Sequence, residues 1–231
     1  MHFGTAVEKL QRAGDAWQAF ASNGALIAQA PVVVLANSSE AQTLAPLGQR
    51  LNRSRGQVSY LPEEAVPDLR AVLTGNGYVV PAVQGLSILG STYDDGEDPL
   101  PNFEGHEANL ARLAALIPSL SMRCDAGALQ GAVGFRCAAP DRLPVIGPLP
   151  DLPAARDRRT ELSGAHVPDV PCRDGLYGLF ALGSRGLIWA ALGAEAIASL
   201  LEGEPPPLEG ELSNAIDPRR FAMRLARHGR L

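Results

Sequence analysis

The stretch Phe180–Leu201, FALGSRGLIWAALGAEAIASLL, joins an apolar strand pattern to an alanine- and leucine-rich helix pattern. Leu176–Leu182 predicts the strand and Leu187–Leu201 the helix, with the sequence GSRG of Gly183–Gly186 between them. Arg185 places a charge in a junction that otherwise looks buried. Because glycines let the backbone approach another group closely, the junction indicates a site for an anionic group or a planar ring.

A second buried strand pattern lies far upstream, where Val32–Ala36 is continuously apolar and largely β-branched. Such a run is typical of a parallel strand that is covered on both faces. It ends in the small polar residues Asn37, Ser38 and Ser39. Ligands of open α/β sheets bind beyond the carboxyl ends of strands, so this end is a second candidate binding position.

Short strand patterns fill most of the first two-thirds of the chain. Ala6–Gln11 and Ala16–Ala21 flank the turn residues Gly14 and Asp15, which favours a hairpin. Further antiparallel strands are predicted at Arg55–Pro62, Gly77–Ala82 and Leu86–Asp94, and another strand at Gly131–Cys137. The tyrosines of these strands and of the junction strand are interpreted as half-buried sheet residues; they are Tyr78, Tyr93 and Tyr177.

One helix is clear in the middle of the chain, in the segment GHEANLARLAALIPSL at residues 105–120. Its apolar residues recur at helical spacing and form one face; they are Leu110, Leu113, Ala114 and Ile117. Pro118 ends the helix. His106, at the start of the helix beside Glu107, is interpreted as a solvated or capping residue.

The segment AAPDRLPVIGPLPDLP at residues 138–153 is too rich in proline to predict regular structure. Arg156–Val170 follows it, and its polar composition predicts a mobile surface loop. We therefore expect an irregular connection between the middle of the chain and the junction strand.

Composition excludes several classes of protein. The chain has 231 residues, 46% of them hydrophobic, and a formal charge of −5, which predicts a folded domain and argues against a general polyanion binder. Three scattered cysteines without histidines at ligand spacing predict reduced thiols, no metal site and a cytoplasmic location; they are Cys124, Cys137 and Cys172. We find no secretory signal pattern and no apolar run of the roughly 18 residues that a membrane span needs.

Five stretches of this sequence, taken in order, resemble one family. They are RGQVSYLP, GYVVPAVQGLSILGSTYDD, GFRCAAPDRLPVIGPLPD, GLYGLFALGSRGLIWAALGAEAIASLLEGEPPPLE and NAIDPRRFAMRLAR. Together they are similar to the FAD-dependent oxidoreductase part of the bacterial bifunctional tRNA 5-methylaminomethyl-2-thiouridine biosynthesis proteins. The wider group contains glycine oxidase and D-amino acid oxidase, and the resemblance covers nearly the whole chain.

The resemblance implies a mixed α+β and α/β fold, in which part of a Rossmann-like FAD-binding domain is interleaved with an antiparallel substrate-binding sheet. Residues 1–50 would hold the hairpin and part of the FAD-binding domain, and residues 51–140 the substrate-binding sheet. Residues 141–203 would return to the FAD-binding domain and supply its flavin-contacting helix, and residues 204–231 would form a basic tail helix.

The resemblance also implies an activity, with FAD as cofactor and tRNA as partner. The carboxymethyl group of a carboxymethylaminomethyl-uridine at the wobble position would be removed by oxidation, which leaves the aminomethyl-uridine and glyoxylate. A guanidinium that binds both carboxylate oxygens suits such a substrate. Arg136 would hold the carboxylate, and Arg185 would lie at the mouth of the same site. A structural ion pair between Arg136 and Asp141 is the alternative.

The expected flavin contacts lie at the two candidate positions described above. They are Ala36, Asn37, Gly183, Ser184, Gly186 and Leu187. The glycines would let the backbone run close to the isoalloxazine ring. The helix that starts near Leu187 would direct its positive end at the ring, where negative charge grows on reduction.

One departure from the family concerns the phosphate-binding loop. The family begins with a strand, the motif G-x-G-x-x-G and a helix that binds the FAD pyrophosphate, and this sequence contains no such segment. We therefore expect the missing FAD-binding segment and a methyltransferase domain to be partners, in the same gene or as a separate chain. A non-catalytic fragment, or a small-molecule amine oxidase of the glycine oxidase type, remains an alternative.

The tail segment DPRRFAMRLARHGR suggests a contact with tRNA. It predicts a helix that starts after Asp217 and Pro218 and has Phe221 and Leu225 on one side. The other side would carry a basic stripe formed by Arg220, Arg224 and Arg227. Such a stripe could bind tRNA phosphates, and an arginine face that docks the tail onto the protein is the alternative.

Overall fold

The computed structural model describes residues 1–66, 69–118 and 124–231. These residues divide into two compact units, and contacts are dense inside each. Unit 1 comprises Met1–Asn52 and Cys137–Leu231, and unit 2 comprises Arg53–Arg136. The functional division at residues 50, 140 and 203 stays a prediction.

The strands are β1 (Lys9–Ala13), β2 (Ala16–Phe20), β3 (Leu26–Ala30), β4 (Val33–Leu35), β5 (Asn52–Pro62), β6 (Leu73–Gly75), β7 (Gly77–Val79), β8 (Leu86–Gly90), β9 (Gln130–Ala138), β10 (Val145–Pro150) and β11 (Cys172–Phe180). The α-helices are α1 (Ala41–Leu44), α2 (Phe103–Leu116), α3 (Leu152–Asp157), α4 (Gly186–Glu202), α5 (Gly210–Ile216) and α6 (Arg219–Arg227).

The first sheet of unit 1 is the antiparallel meander β1-β2-β3. Ala13 pairs with Ala16 across a two-residue turn, and Gly14 adopts the positive φ of +60° that such tight hairpin turns need. The predicted hairpin is thus confirmed. Trp17 on β2 is buried, and its indole Nε1–H donates to the carbonyl oxygen of Asp174 at 2.8 Å.

The second sheet of unit 1 has the order β10-β11-β4. β4 pairs parallel with β11, as Val32–Ala36 predicted, with Val33 opposite Leu176 and Leu35 opposite Gly178. The expectation that this strand is buried on both faces is wrong, because Val34 is 41% exposed. β4 occupies an end of this sheet and has no second neighbour among the described strands.

The junction helix α4 packs on β10 and β11. Gly193 makes this close approach possible, since a Cβ there would overlap Leu179 and lie 3.0 Å from Ile146. Gly183–Glu202, with 20 residues, is the one helical segment in the described part of the chain that is long and apolar enough to cross a membrane. The statement that no apolar run has this length is corrected accordingly, although core helices of soluble proteins pass the same test.

Residues 138–170 are more regular than the prolines suggested. They contain β10 and α3, and short 3-10 turns at Glu161–Gly164 and Val167–Asp169. β10 tolerates prolines because it is an edge strand with a bulge between Pro148 and Pro150. The expected surface loop is also wrong, since Leu162 and Val170 are buried against α6.

Unit 2 is a five-stranded sheet of order β6-β7-β8-β5-β9, with α2 packed on one face. The pairs β5/β8, β6/β7 and β7/β8 are antiparallel. α2 is capped at its start by Asn102, whose side-chain oxygen accepts the N–H of Gly105 at 2.9 Å, and it ends at Leu116 before Pro118. Residues 119–120 of the predicted helical segment lie outside the described residues.

The buried face of α2 is only half apolar. Leu113 joins the apolar core of unit 2, with Leu110 and Ile117 packed against it. In the first turns, His106 and Asn109 are buried instead. The interpretation of His106 as solvated is therefore wrong, because the first turn of the helix faces the sheet.

Candidate functional site

The side chains of β5 alternate between the two faces of the sheet in unit 2. Gln57 and Ser59 point toward α2, where they contact Gly105 and His106. Gly56, Val58 and Tyr60 therefore belong to the opposite face. This open face carries the candidate site.

Arg136 on β9 lies across the open face at Gly56. A Cβ on Gly56 would overlap the Nη1 atom of Arg136, and its Cζ would be 2.6 Å away. Nη2 donates to the Ser91 hydroxyl at 2.6 Å and Nη1 to the Thr92 carbonyl at 3.4 Å. The Cζ atom stands 4.2 Å from the centroid of the Tyr93 ring. The guanidinium is thus held by a glycine, a hydroxyl and a ring.

Within the described residues of unit 2, most of the hydrogen-bonding capacity of Arg136 is unused. Two of its five N–H groups donate to protein oxygens, and it forms no ion pair with a described residue of unit 2. A half-buried cation without a counter-charge favours an anionic ligand. Tyr93, predicted to be half-buried, is instead 62% exposed beside it.

A polar cavity of about 240 Å³ adjoins this arginine. Ser91 and Tyr93, which hold Arg136, line it together with Thr74, Asn76, Tyr78 and Arg112. Arg112 donates one hydrogen bond, to the Asn109 amide oxygen at 3.2 Å. The cavity therefore presents hydroxyl groups and the guanidinium of Arg112 beside two of the residues that contact Arg136.

A hydrogen-bonded network supports the site from the other face of the sheet. Gln57 exchanges hydrogen bonds with the backbone of Asn102, at 2.8 and 2.9 Å. Asn109 donates to the carbonyl of Gln57 and to the Ser59 hydroxyl, both at 3.1 Å. The Ser59 hydroxyl also lies 2.8 Å from Nδ1 of His106, and burial lowers the pKa of this imidazole.

The junction in unit 1 contains the second group of predicted site residues. Gly183–Arg185 forms a 3-10 turn between β11 and α4, and Gly183 has a positive φ of +59°. Arg185 and Ser184 are exposed, and Leu187 is 97% exposed. The first turn of α4 has no side-chain cap.

The end of β4 lies near this junction, because β4 and β11 are parallel neighbours. Cys137 contacts both segments through hydrogen bonds with Ser38 and the backbone of Ala181, and burial raises the pKa of its thiol. Ala36 and Asn37 line a cavity of about 690 Å³ in unit 1. The structure thus brings the two predicted flavin-contacting segments to one end of this sheet.

Comparisons with known proteins identify the family. The model of a family described as FAD dependent oxidoreductase (DAO) matches residues 1–200. The chain belongs to this FAD-dependent oxidoreductase family. The resemblance noted in the sequence and the mixed α/β fold class are thereby confirmed, and the cofactor of the family is FAD.

Curated relatives of this oxidoreductase are longer than the chain. It is 50% identical over 232 residues to proteins of Burkholderia mallei (strain SAVP1) and Burkholderia pseudomallei (strain 668). Both are named tRNA 5-methylaminomethyl-2-thiouridine biosynthesis bifunctional protein MnmC. The match covers 99% of this chain and 35% of each relative, so the chain spans about a third of their length.

Solved structures show the same fold. Glycine oxidase from Geobacillus kaustophilus has a TM-score of 0.67 and 20% identity, over 92% of this chain and 51% of that chain. Iminodiacetate oxidase (IdaA) from Chelativorans sp. BNC1 has a TM-score of 0.65 and 20% identity, over 93% and 52%. At this identity the likeness concerns the fold alone.

The tail arginines of the oxidoreductase do not form one exposed stripe. Arg220 is 4% exposed, and it donates to both carboxylate oxygens of Asp141 at 2.9 and 3.1 Å. It also donates to the carbonyl oxygens of Ile216, Asp217 and Leu143. The expectation that Arg220 lies on an exposed basic face is therefore wrong.

Asp141 organises this end of unit 1. Arg224, which is half-exposed, donates to it at 2.7 Å, while the exposed Arg227 donates to the Ala165 carbonyl at 3.4 Å. Burial alone would raise the pKa of Asp141, but hydrogen bonds and the charge of Arg220 lower it below its usual value. The ion pairs of Asp141 in unit 1 are thus with α6.

Sequence reasoning missed the residues that hold Arg136. Gly56, Ser91 and Tyr93 are separated from it by at least 43 positions, and only the pairing of the strands brings them together. The run Ser91-Thr92-Tyr93 at the end of a glycine-containing strand was the available signal. Among the described residues, no group of three or more His, Cys, Asp or Glu side chains could hold a metal ion.

Proposed function

We propose that this chain contributes the substrate-binding sheet and the flavin-facing junction of an FAD-dependent oxidoreductase that modifies tRNA. The substrate is the carboxymethylaminomethyl-uridine of the wobble position, and the products are aminomethyl-uridine and glyoxylate. The observation that carries the proposal is the guanidinium of Arg136 on the open face of unit 2, which has no ion-pair partner among the described residues of that unit. As a tRNA-modifying protein, it would act in the cytoplasm.

The reaction needs the carbon between an amine and a carboxylate to lose a hydride. When bound, FAD accepts this hydride and its two electrons. The substrate is left with a C=N bond, and water adds to it so that glyoxylate leaves and the primary amine stays on the uridine. The protein must therefore fix the carboxylate and leave the neighbouring C–H free.

Arg136 fits the carboxylate because three of its N–H groups have no partner among the residues of unit 2 that the structure describes. Two parallel N–H···O bonds fix both the position and the plane of a carboxylate. A lysine could supply the charge but not the plane. Arg136 thus binds and orients the substrate, and the adjoining polar cavity leaves room for the rest of it.

The junction in unit 1 fits the ring of FAD. A Cβ on Gly183 or Gly186 would meet no atom closer than 3.9 Å, so the backbone is open to a planar group. The uncapped N–H groups of α4 favour negative charge beside them. Gly183, Ser184, Gly186 and Leu187 would hold the ring, and Arg185 would lie exposed at its edge. Ala36 and Asn37 would border the cofactor at the end of β4.

The partners in this proposal are tRNA, through Arg224 and Arg227, and a segment that binds the FAD pyrophosphate. A methyltransferase domain, as the bifunctional relatives suggest by name, is a further partner. The alternative is an oxidase of small amino acids such as sarcosine, in which no tRNA contact is needed.

The test compares Arg136→Lys with the unchanged FAD-loaded protein that carries this chain. Anaerobic flavin reduction is followed with tRNA that bears carboxymethylaminomethyl-uridine, and separately with sarcosine. We expect tRNA to reduce the flavin, and Arg136→Lys to raise KM by about tenfold or more because the bidentate contact is lost.

Arg70→Lys is the control, since Arg70 is an exposed arginine of the same unit. It should leave KM unchanged. Reduction by sarcosine but not by tRNA would favour the small-molecule oxidase and refute the tRNA proposal. An unchanged KM for Arg136→Lys would remove Arg136 from the site.

A further inference from the structure

The guanidinium of Arg136 is held in place before any substrate arrives. Arginine side chains are long and flexible, and a free one would have to be ordered when its ligand binds. In unit 2, three different contacts already restrict this one. The contacts are with Gly56 on β5 and with Ser91 and the exposed ring of Tyr93 in the segment after β8.

Gly56 supplies the space. The Nη1, Cζ and Nη2 atoms of Arg136 all lie where the first side-chain carbon of any other residue would be. Because no side chain stands at position 56, the end of the guanidinium lies directly against the backbone of β5. An alanine at this position would push away the mobile end of a side chain and not the backbone, so the sheet itself would tolerate it.

Ser91 and Tyr93 fix the guanidinium within this space. The Ser91 hydroxyl accepts from Nη2 at 2.6 Å, which is a short hydrogen bond of the charge-assisted kind. The Tyr93 ring, 4.2 Å from Cζ, attracts the cation through its π face. Because both contacts are neutral, they leave the positive charge available to an anion.

We propose that Gly56, Ser91 and Tyr93 are positioning residues that preorganise Arg136 for the carboxylate of the substrate. This inference rests on the proposed function of Arg136 as the carboxylate-binding residue. The three residues do not touch the substrate carboxylate themselves. They set the plane in which its two oxygens are received.

Gly134 provides a matched control for Gly56. It lies two positions before Arg136 on β9, on the same face of the strand, and a Cβ there would meet nothing within 4 Å. Gly134→Ala therefore makes the same chemical change on the same face without touching the guanidinium. Tyr93→Phe is the conservative control for Tyr93→Leu.

The experiment uses the 231-residue chain labelled with ¹⁵N and follows arginine Nε–H signals by NMR during titration with sarcosine. Arg136→Lys assigns the signal by removing it. In the unchanged chain, we expect a signal shifted by the ring current of Tyr93 that moves further as sarcosine binds. Thermal unfolding of each variant checks that it is folded.

Gly56→Ala should move the signal to the position of an exposed arginine and weaken sarcosine binding by about tenfold. Ser91→Ala and Tyr93→Leu should each weaken binding by roughly threefold, and Tyr93→Leu should also remove the ring-current shift. Gly134→Ala and Tyr93→Phe should match the unchanged chain in signal and affinity.

Two results separate this inference from the proposed function. If Arg136→Lys abolishes sarcosine binding while Gly56→Ala leaves signal and affinity unchanged, Arg136 binds the carboxylate but the positioning residues are refuted. The positioning role is also refuted if Gly56→Ala and Gly134→Ala have equal effects. If sarcosine binds Arg136→Lys as well as it binds the unchanged chain, Arg136 does not hold the carboxylate and both proposals fail. If sarcosine does not bind the unchanged chain, the preorganised carboxylate site is refuted, and the tRNA proposal is decided by the flavin-reduction test.

Discussion

The two units bury their polar groups in different ways. The main core of unit 1 is apolar, with Trp17, Phe180 and Phe221 among its members, and its buried polar groups include the ion pair of Arg220 with Asp141. Unit 2 has a smaller apolar core, and besides Arg55, which is buried and paired with Asp94, it buries a row of neutral polar side chains along β5 and α2. Gln57, Ser59, His106 and Asn109 form most of this row.

The two kinds of interior differ in how strictly they determine the arrangement of the chain. Apolar contacts are not directional, and many arrangements of similar volume satisfy them. Hydrogen bonds between buried amides, hydroxyls and an imidazole are satisfied in one register only, since an unpaired group costs free energy. Unit 2 therefore has a sheet of fixed register, which suits a face that must hold Arg136 in one position.

The largest effect is expected when the ion pair of unit 1 is broken. Arg220→Gln removes a buried guanidinium that bonds Asp141 and three carbonyl groups, and should lower the free energy of unfolding by about 3–5 kcal/mol. Arg227→Gln, at an exposed position, should change it by less than about 0.5 kcal/mol. Urea denaturation measures both.

The same two variants distinguish docking of the tail from tRNA contact. If Arg227 meets a phosphate, Arg227→Gln should reduce the slope of log affinity for tRNA against log salt by about one unit. If Arg220→Gln weakens tRNA binding without loss of stability, the assignment of Arg220 to the interior of unit 1 is refuted.

A smaller effect is expected from the polar row of unit 2. Gln57→Leu keeps the approximate volume but leaves the N–H of Asn102 without its partner and its C=O with the His106 N–H alone. It should cost about 1–3 kcal/mol of stability. Gln18→Leu makes the same change on β2, where the amide bonds an exposed Gln29, and should be nearly neutral. Equal costs would contradict the contrast between the units.

The smallest effect is a dependence on pH. Burial lowers the folded pKa of His106 below its ordinary value of 6.5, so the unfolded chain binds a proton more readily than the folded one. Stability should therefore be complete above pH 6.5 and fall as the pH drops toward the lowered folded pKa. His106→Gln should remove this part of the pH profile in thermal unfolding, whereas His228→Gln, at an exposed position, should retain it.

The sequence predicted correctly those elements that are determined by residues close together in the chain. The turn Gly14-Asp15 determines the first hairpin, and the apolar run after Gly186 determines α4, so both were recognised. β10 was missed because Pro148 and Pro150 argue against a strand in general. The two prolines are tolerated because β10 lies at the edge of its sheet. The sequence around β10 does not indicate that edge position.

The site was predicted only in part, because most of its contacts join residues that are far apart in the sequence. Arg136 was selected through its resemblance to a family motif, while its supporting residues depend on strand pairing over long separations. Arg220 was misplaced because a helical pattern assigns charges to the surface, and the partner that buries it, Asp141, lies 79 positions away. Charged and polar interiors are specified by distant partners, which periodicity does not reveal.

The overlap between the position of Arg136 and the missing side chain of Gly56 also constrains how this protein can change over generations. Any residue other than glycine at position 56 conflicts with the arginine, whereas a chain that has already lost the arginine gains room there. The two positions should therefore vary together among homologous sequences, and in lineages that abandon the carboxylate substrate the arginine should disappear first.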